Sequence, residues 1–75
     1  MAELTARQYA FKLNEQAQRG SGAGFYGPGG RFASARVHAG RLEVLHAYDR
    51  VWAAAPIGAT YRDYNGRDFL TIQEY

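Results

Sequence analysis

The sequence predicts an α+β domain: one N-terminal helix packed on a curved antiparallel sheet of four to five strands. A small SH3-like barrel carrying the same helix is the close variant. Three observations lead there. Apolar residues recur with a helical period over residues 5–19. From residue 31 onward they fall in short alternating runs, punctuated by Ala39-Gly40, Pro56 and Asn65-Gly66. A helix followed by successive strands, without alternating βαβ units, points to an antiparallel sheet with the helix on one face. A chain of 75 residues has room for a single domain, here residues 1–75, with a small core.

The helix is expected over residues 5–19. Thr5 is a good N-cap, and Gln8 follows at the spacing of a capping box. Leu4 and Tyr9 have the spacing of a hydrophobic staple. Ala6, Tyr9, Ala10, Leu13 and Ala17 form one face. Arg19 suits the dipole in the last turn, and Gly20 suits the left-handed C′ position. Phe11 departs from the pattern. It points away from Ala6, beside Arg7 and Glu15, so it is either at the sheet margin or exposed.

Residues 20–30 hold six of the nine glycines, and apolar periodicity stops there. They read as a long loop with Phe25 and Tyr26 at its centre. Loops of that length are uncommon in compact domains and often functional. The two aromatics either pack on the body or contact a partner.

Residues 31–48 read as a hairpin, with strands at about Phe32–Val37 and Leu42–Tyr48. A two-residue Ala39-Gly40 loop sets Val37 opposite Leu42, Ala35 opposite Val44 and Arg36 opposite Glu43. That register separates apolar pairs from an ion pair. Ala39 suits a type I′ turn poorly, because such a turn needs positive φ at both central residues. A third strand is expected over Val51–Ala54, ended or placed on an edge by Pro56.

Gly58–Tyr64 and Arg67–Glu74 form the last hairpin. A two-residue Asn65-Gly66 loop would oppose Asp63 and Asp68, two like charges. A type I turn over Asp63-Tyr64-Asn65-Gly66 instead opposes Asp63 to Arg67, Arg62 to Asp68 and Tyr61 to Phe69. The second register is the one expected. It puts Leu70 and Ile72 on one face and Phe69 and Thr71 on the other.

Several function classes fall away. Gly22 to Gly27 spells G-x-G-x-x-G, but a helix precedes it and a strand is expected after it, which reverses the order a dinucleotide site needs. His38 and His46 are the only histidines and there is no cysteine, so neither a metal set nor a nucleophilic triad is recognisable. Asp63 and Asp68 are better explained by turn and cross-strand pairing than as a catalytic pair. No enzyme activity, cofactor or metal is expected. No apolar run approaches the ~18 residues of a membrane helix, and the N-terminus does not read as a secretory signal. The expected location is therefore the cytoplasm, that of the host if the chain is of phage origin.

What remains is arginine interleaved with aromatics: Arg31-Phe32, the Tyr48–Trp52 stretch, and the Tyr61–Tyr64 stretch. These residue types are enriched at interface hot spots, and they also stack on bases. The charge separates the two readings. Net charge is only +2, and acids sit beside the arginines: Asp49 by Arg50, Glu43 near Arg41, Asp63 and Asp68 around Arg67. Counterion-driven binding favours a basic cluster instead. A lone tryptophan in so small a domain suits the core, so Trp52 is expected either there or as a hot spot at the end of the sheet.

The expectation is a non-enzymatic binding module for a protein partner. Its candidate contact residues are Phe25, Tyr26, Arg31, Arg50, Trp52, Arg62, Tyr64 and Arg67. Eight of the nine basic residues are Arg, and the chain is rich in Ala and Gly. This is the composition of a GC-rich bacterial or phage genome, and short phage or mobile-element chains include inhibitors and regulators of host machinery. Nucleic-acid binding through arginine and aromatic stacking is the alternative. Homodimerisation through an exposed final strand around Leu70–Ile72 is a further expectation.

Overall fold

The computed structural model describes residues 4–19 and 24–74. One helix, α1 (Ala6–Arg19), packs on a six-stranded antiparallel sheet. The strands are β1 (Phe25–Gly27), β2 (Gly30–His38), β3 (Arg41–His46), β4 (Trp52–Ala54), β5 (Thr60–Arg62) and β6 (Asp68–Thr71). Their spatial order is β4-β3-β2-β1-β5-β6, an open sheet with β4 and β6 at its edges. The α+β class holds, with six strands where four to five were expected.

α1 begins as its sequence dictates. The Thr5 N–H donates to Gln8 Oε1 at 2.8 Å, and the Gln8 N–H donates to Thr5 Oγ1 at 3.2 Å. This reciprocal pair is the capping box. Ala6, Tyr9, Ala10, Leu13 and Ala17 are all buried. Leu13 and Tyr9 are essentially inaccessible, and each such side chain contributes about 1.5–3 kcal/mol on burial. Phe11 is 68% exposed, which settles its place on the outer helix surface.

The helix is also tied to the sheet by polar groups. Asn14 Nδ2 donates to the Ala35 carbonyl at 2.9 Å, and the Ala35 N–H donates to Asn14 Oδ1 at 2.7 Å. Ser34 Oγ donates to the same Oδ1 at 3.1 Å. β1 pairs only with Gly30–Phe32 of β2, so the Ala35 backbone has no strand on that side and the asparagine amide takes its place. The Tyr9 hydroxyl accepts from the Gln73 N–H at 2.9 Å, joining α1 to the chain just past β6.

The expected loop over residues 20–30 is corrected in part. Residues 20–23 lie outside the described residues, and with them Gly22 and Ala23 of the glycine motif. Phe25–Gly27 is a strand, and Pro28-Gly29 is a two-residue turn between Gly27 and Gly30. Proline at its first position and φ +93° at Gly29 suit a type II turn. Two glycines explain why a strand hides in this stretch. A Cβ on Gly27 would collide with the ring of Tyr61, and one on Gly24 would collide with the Phe32 carbonyl. The glycines make close approach possible, and they also erase the apolar alternation.

The β2–β3 register is as expected: Val37 opposite Leu42, Arg36 opposite Glu43, Ala35 opposite Val44. Ala39 and Gly40 take φ of +52° and +75°, so the turn accepts positive φ at an alanine. A register shift between Phe32 and Ser34 leaves Ala33 as an extra residue. β3 ends at His46, short of the expected Tyr48, which sits in the following turn and is 87% exposed.

The last hairpin follows the type I expectation at its tip. The Gly66 N–H donates to the Asp63 carbonyl, and Asp63 Oδ1 accepts from the N–H groups of Asn65 and Arg67, each at 2.9 Å. Arg62 opposes Asp68. One step further the expectation is corrected. Tyr61 opposes Leu70, and Phe69 is passed over at a bulge. Phe69 and Leu70 therefore both reach the core margin, while Ile72 is fully buried.

The core centre is a ring cluster. Phe25, Phe32 and Tyr61 lie with centroids 5.7–5.8 Å apart, and the His46 ring sits against Phe32 at 4.8 Å with the planes tilted by 60°. These rings span β1, β2, β3 and β5. The backbone link there is thin: β1 and β5 share the single pair Tyr26 and Arg62.

Candidate partner-binding face

Strand pairing fixes which side chains share a surface, because cross-strand partners point to the same side and neighbours alternate. Phe25, Phe32, Leu42, Val44 and Tyr61 take the helix side, as their burial shows. The opposite side receives Tyr26 and Arg31 as partners, Arg62 opposite Tyr26, and Asp68 opposite Arg62. Further along, Arg36 opposes Glu43, and Leu45 opposes Trp52. The helix-free face thus carries three arginines, Trp52 and Tyr26 across the width of the sheet.

The arginines there have partners within the chain. Arg36 Nε is 2.9 Å from Glu43 Oε1, with the Glu43 side chain only 18% exposed. The Arg36 guanidinium also lies over the Trp52 ring, 4.1 Å from its centroid. One edge of the cation is committed to a carboxylate and one face to a π system, which restrains the side chain. Arg62 Nε is 3.3 Å from Asp68 Oδ1, with both side chains mostly exposed. That surface pair contributes at most about 1 kcal/mol.

The candidate residues divide accordingly. Tyr26, Arg31, Trp52 and Arg62 share the helix-free face. Arg50 stands in the β3–β4 turn with φ +59°. Tyr64, 44% exposed, and Arg67 stand at the β5–β6 turn. Strand alternation puts these two turns at opposite ends of the sheet. Phe25 is fully buried, so it belongs to the core and leaves the candidate set. Trp52, left open between core and surface by the sequence, falls outside the core. It is half-buried on an edge strand and is not part of the buried core. Arg36 and Glu43 were expected as a cross-strand pair but not as part of a site. Only the pairing of β4 with β3, at the register Leu45 to Trp52, brings the indole under Arg36.

Elsewhere, a shallow groove runs along the outer face of α1 between Leu4, Arg7, Gln8, Phe11, Lys12 and Glu15. Among the described residues no group of three or more metal-ligating side chains comes together. Also among them, no helix is long and apolar enough to cross a membrane. Comparisons with protein-family models, with curated proteins and with solved structures find no match to this chain.

Proposed function

We propose that the chain is a non-enzymatic module that binds a protein partner through the helix-free face of its sheet. The observation carrying this reading is the Glu43–Arg36–Trp52 cluster. A held guanidinium over a half-buried indole is a preorganised surface of the residue types that dominate protein hot spots. Two of its arginines, Arg36 and Arg62, are already matched by Glu43 and Asp68, which lowers the cost of covering them with a protein surface. A phosphate backbone would instead meet those carboxylates, and net charge +2 offers little counterion release. The Ala/Gly/Arg-rich, Lys-poor composition supports a chain of phage or mobile-element origin, which we propose is directed at host machinery in the host cytoplasm.

Capture from source-cell lysate tests the reading, with Trp52→Ala and Arg36→Ala compared against Phe11→Ala on the opposite side of the molecule. Either face variant is expected to weaken capture about tenfold or more, with helix content unchanged by circular dichroism. Capture lost only with Phe11→Ala moves the site to the helix. Sub-micromolar binding of a duplex or single strand at about 150 mM salt replaces the protein partner by nucleic acid.

A further inference from the structure

We infer that the free edge of β4 is a self-association surface, on which a second copy of this chain pairs antiparallel, β4 to β4, about a two-fold axis through Ala53. β4 ends the sheet, and among the elements described it packs against β3 alone. Its hydrogen bonds fix which groups point outward. The His46 N–H donates to the Val51 carbonyl, and the Ala55 N–H donates to the Leu42 carbonyl. Alternation along the ladder then gives Ala53 to Val44 and turns the N–H and C=O groups of Trp52 and Ala54 away from β3. Those four groups are the requirement of an antiparallel partner.

The occupant follows from self-complementarity. With Ala53 facing its own copy, Trp52 of each chain pairs with Ala54 of the other, and the four outward groups form four reciprocal backbone bonds. Trp52 and Ala54 are on the same face, so each large indole meets a small methyl. A slip of the partner strand by two residues in either direction would set Trp52 against Trp52 or Ala54 against Ala54. The flanks agree. Tyr48, Val51 and Ile57 are 87%, 55% and 53% exposed. Antiparallel pairing brings the Tyr48–Val51 end of one copy to the Ile57 end of the other.

Charge points to β4 rather than the final strand expected from the sequence. Residues 51–61 contain no charged side chain, and a neutral apolar edge is what sheet proteins normally avoid. The other edge, β6, carries Asp68, lies between Arg67 and Glu74, and pairs through a bulge. Those are the devices that block edge pairing. A three-residue edge makes a small interface, so association in the micromolar range is expected, on the order of 1–100 μM. The dimer would join two sheets into one of twelve strands and set the two Trp52-bearing faces side by side.

Sedimentation equilibrium of the full chain, from about 10 μM to about 1 mM, tests this against a matched pair of edge variants. Wild type is expected to dimerise. Ala54→Lys on the β4 edge should weaken the dimer at least about tenfold, while Thr71→Lys on the β6 edge leaves it intact. Amide exchange in the unmodified chain gives a second readout. The Trp52 and Ala54 amides should gain protection as concentration rises. A wild type that stays monomeric throughout, a dimer lost with Thr71→Lys but kept with Ala54→Lys, or Trp52 and Ala54 amides indifferent to concentration would each overturn the assignment.

Discussion

Asn14 is the most exacting test of how helix and sheet are joined. Asn14→Ala removes the donor to the Ala35 carbonyl, the acceptor of the Ala35 N–H and the acceptor of Ser34 Oγ. Ser34 can turn to water, so its loss is small. The two backbone groups are partly buried beside α1, so their bonds are the larger loss. At about 0.5–1.5 kcal/mol for each backbone bond, the loss is about 1–3 kcal/mol. Alanine returns roughly 0.6 kcal/mol of helix propensity. The net expectation is a loss centred on about 1.4 kcal/mol, or a fall in Tm of roughly 6–11 °C for a domain this small. Urea unfolding followed by Trp52 fluorescence and by helix ellipticity should show a lower midpoint with an unchanged slope. Asn14→Asp keeps the acceptor but not the donor and should fall between. If Asn14→Ala matches wild type within about 0.5 kcal/mol, the amide is not acting as a surrogate strand and the docking is purely apolar.

Two further changes probe the backbone. Gly27→Ala places a methyl against the Tyr61 and Phe32 rings and should cost about 1–3 kcal/mol, read by thermal unfolding; an unchanged Tm would mean the ring cluster is loose. Ala39→Gly relieves φ +52° in the β2–β3 turn and should stabilise by up to about 1 kcal/mol; a loss of stability on chemical denaturation would mean that the turn is not type I′.

The parts of the fold legible in the sequence are those with local causes. The cap at Thr5, the stripe ending at Ala17 and the Arg36–Glu43 register each follow from residues close together in the chain. β1 was not legible, because glycines at 24, 27, 29 and 30 remove the side chains that would reveal alternation. The bulge at Phe69 was hidden for the opposite reason. Phe69 and Leu70 are both apolar, so either could face inward, and the pattern has no preference. The site was half legible. Arginines and aromatics were visible, but their sorting between face, core and turns depends on the pairings of β1 with β5 and β3 with β4. Phe25 shows the cost: adjacent to Tyr26 in sequence, it faces the other way in the sheet.

The single backbone pair between Tyr26 and Arg62 divides the sheet into two leaves. One holds β4, β3, β2 and β1, and the other holds β5 and β6. Across that seam the molecule is closed by rings, by the glycine at 27 that leaves room for the Tyr61 ring, and by the Tyr9 hydroxyl accepting from the Gln73 N–H. Separation of the leaves is therefore an un-docking of side chains and not the unzipping of a ladder. The C-terminal hairpin is the unit that departs first when the domain opens short of global unfolding, and it takes one wall of the aromatic core with it.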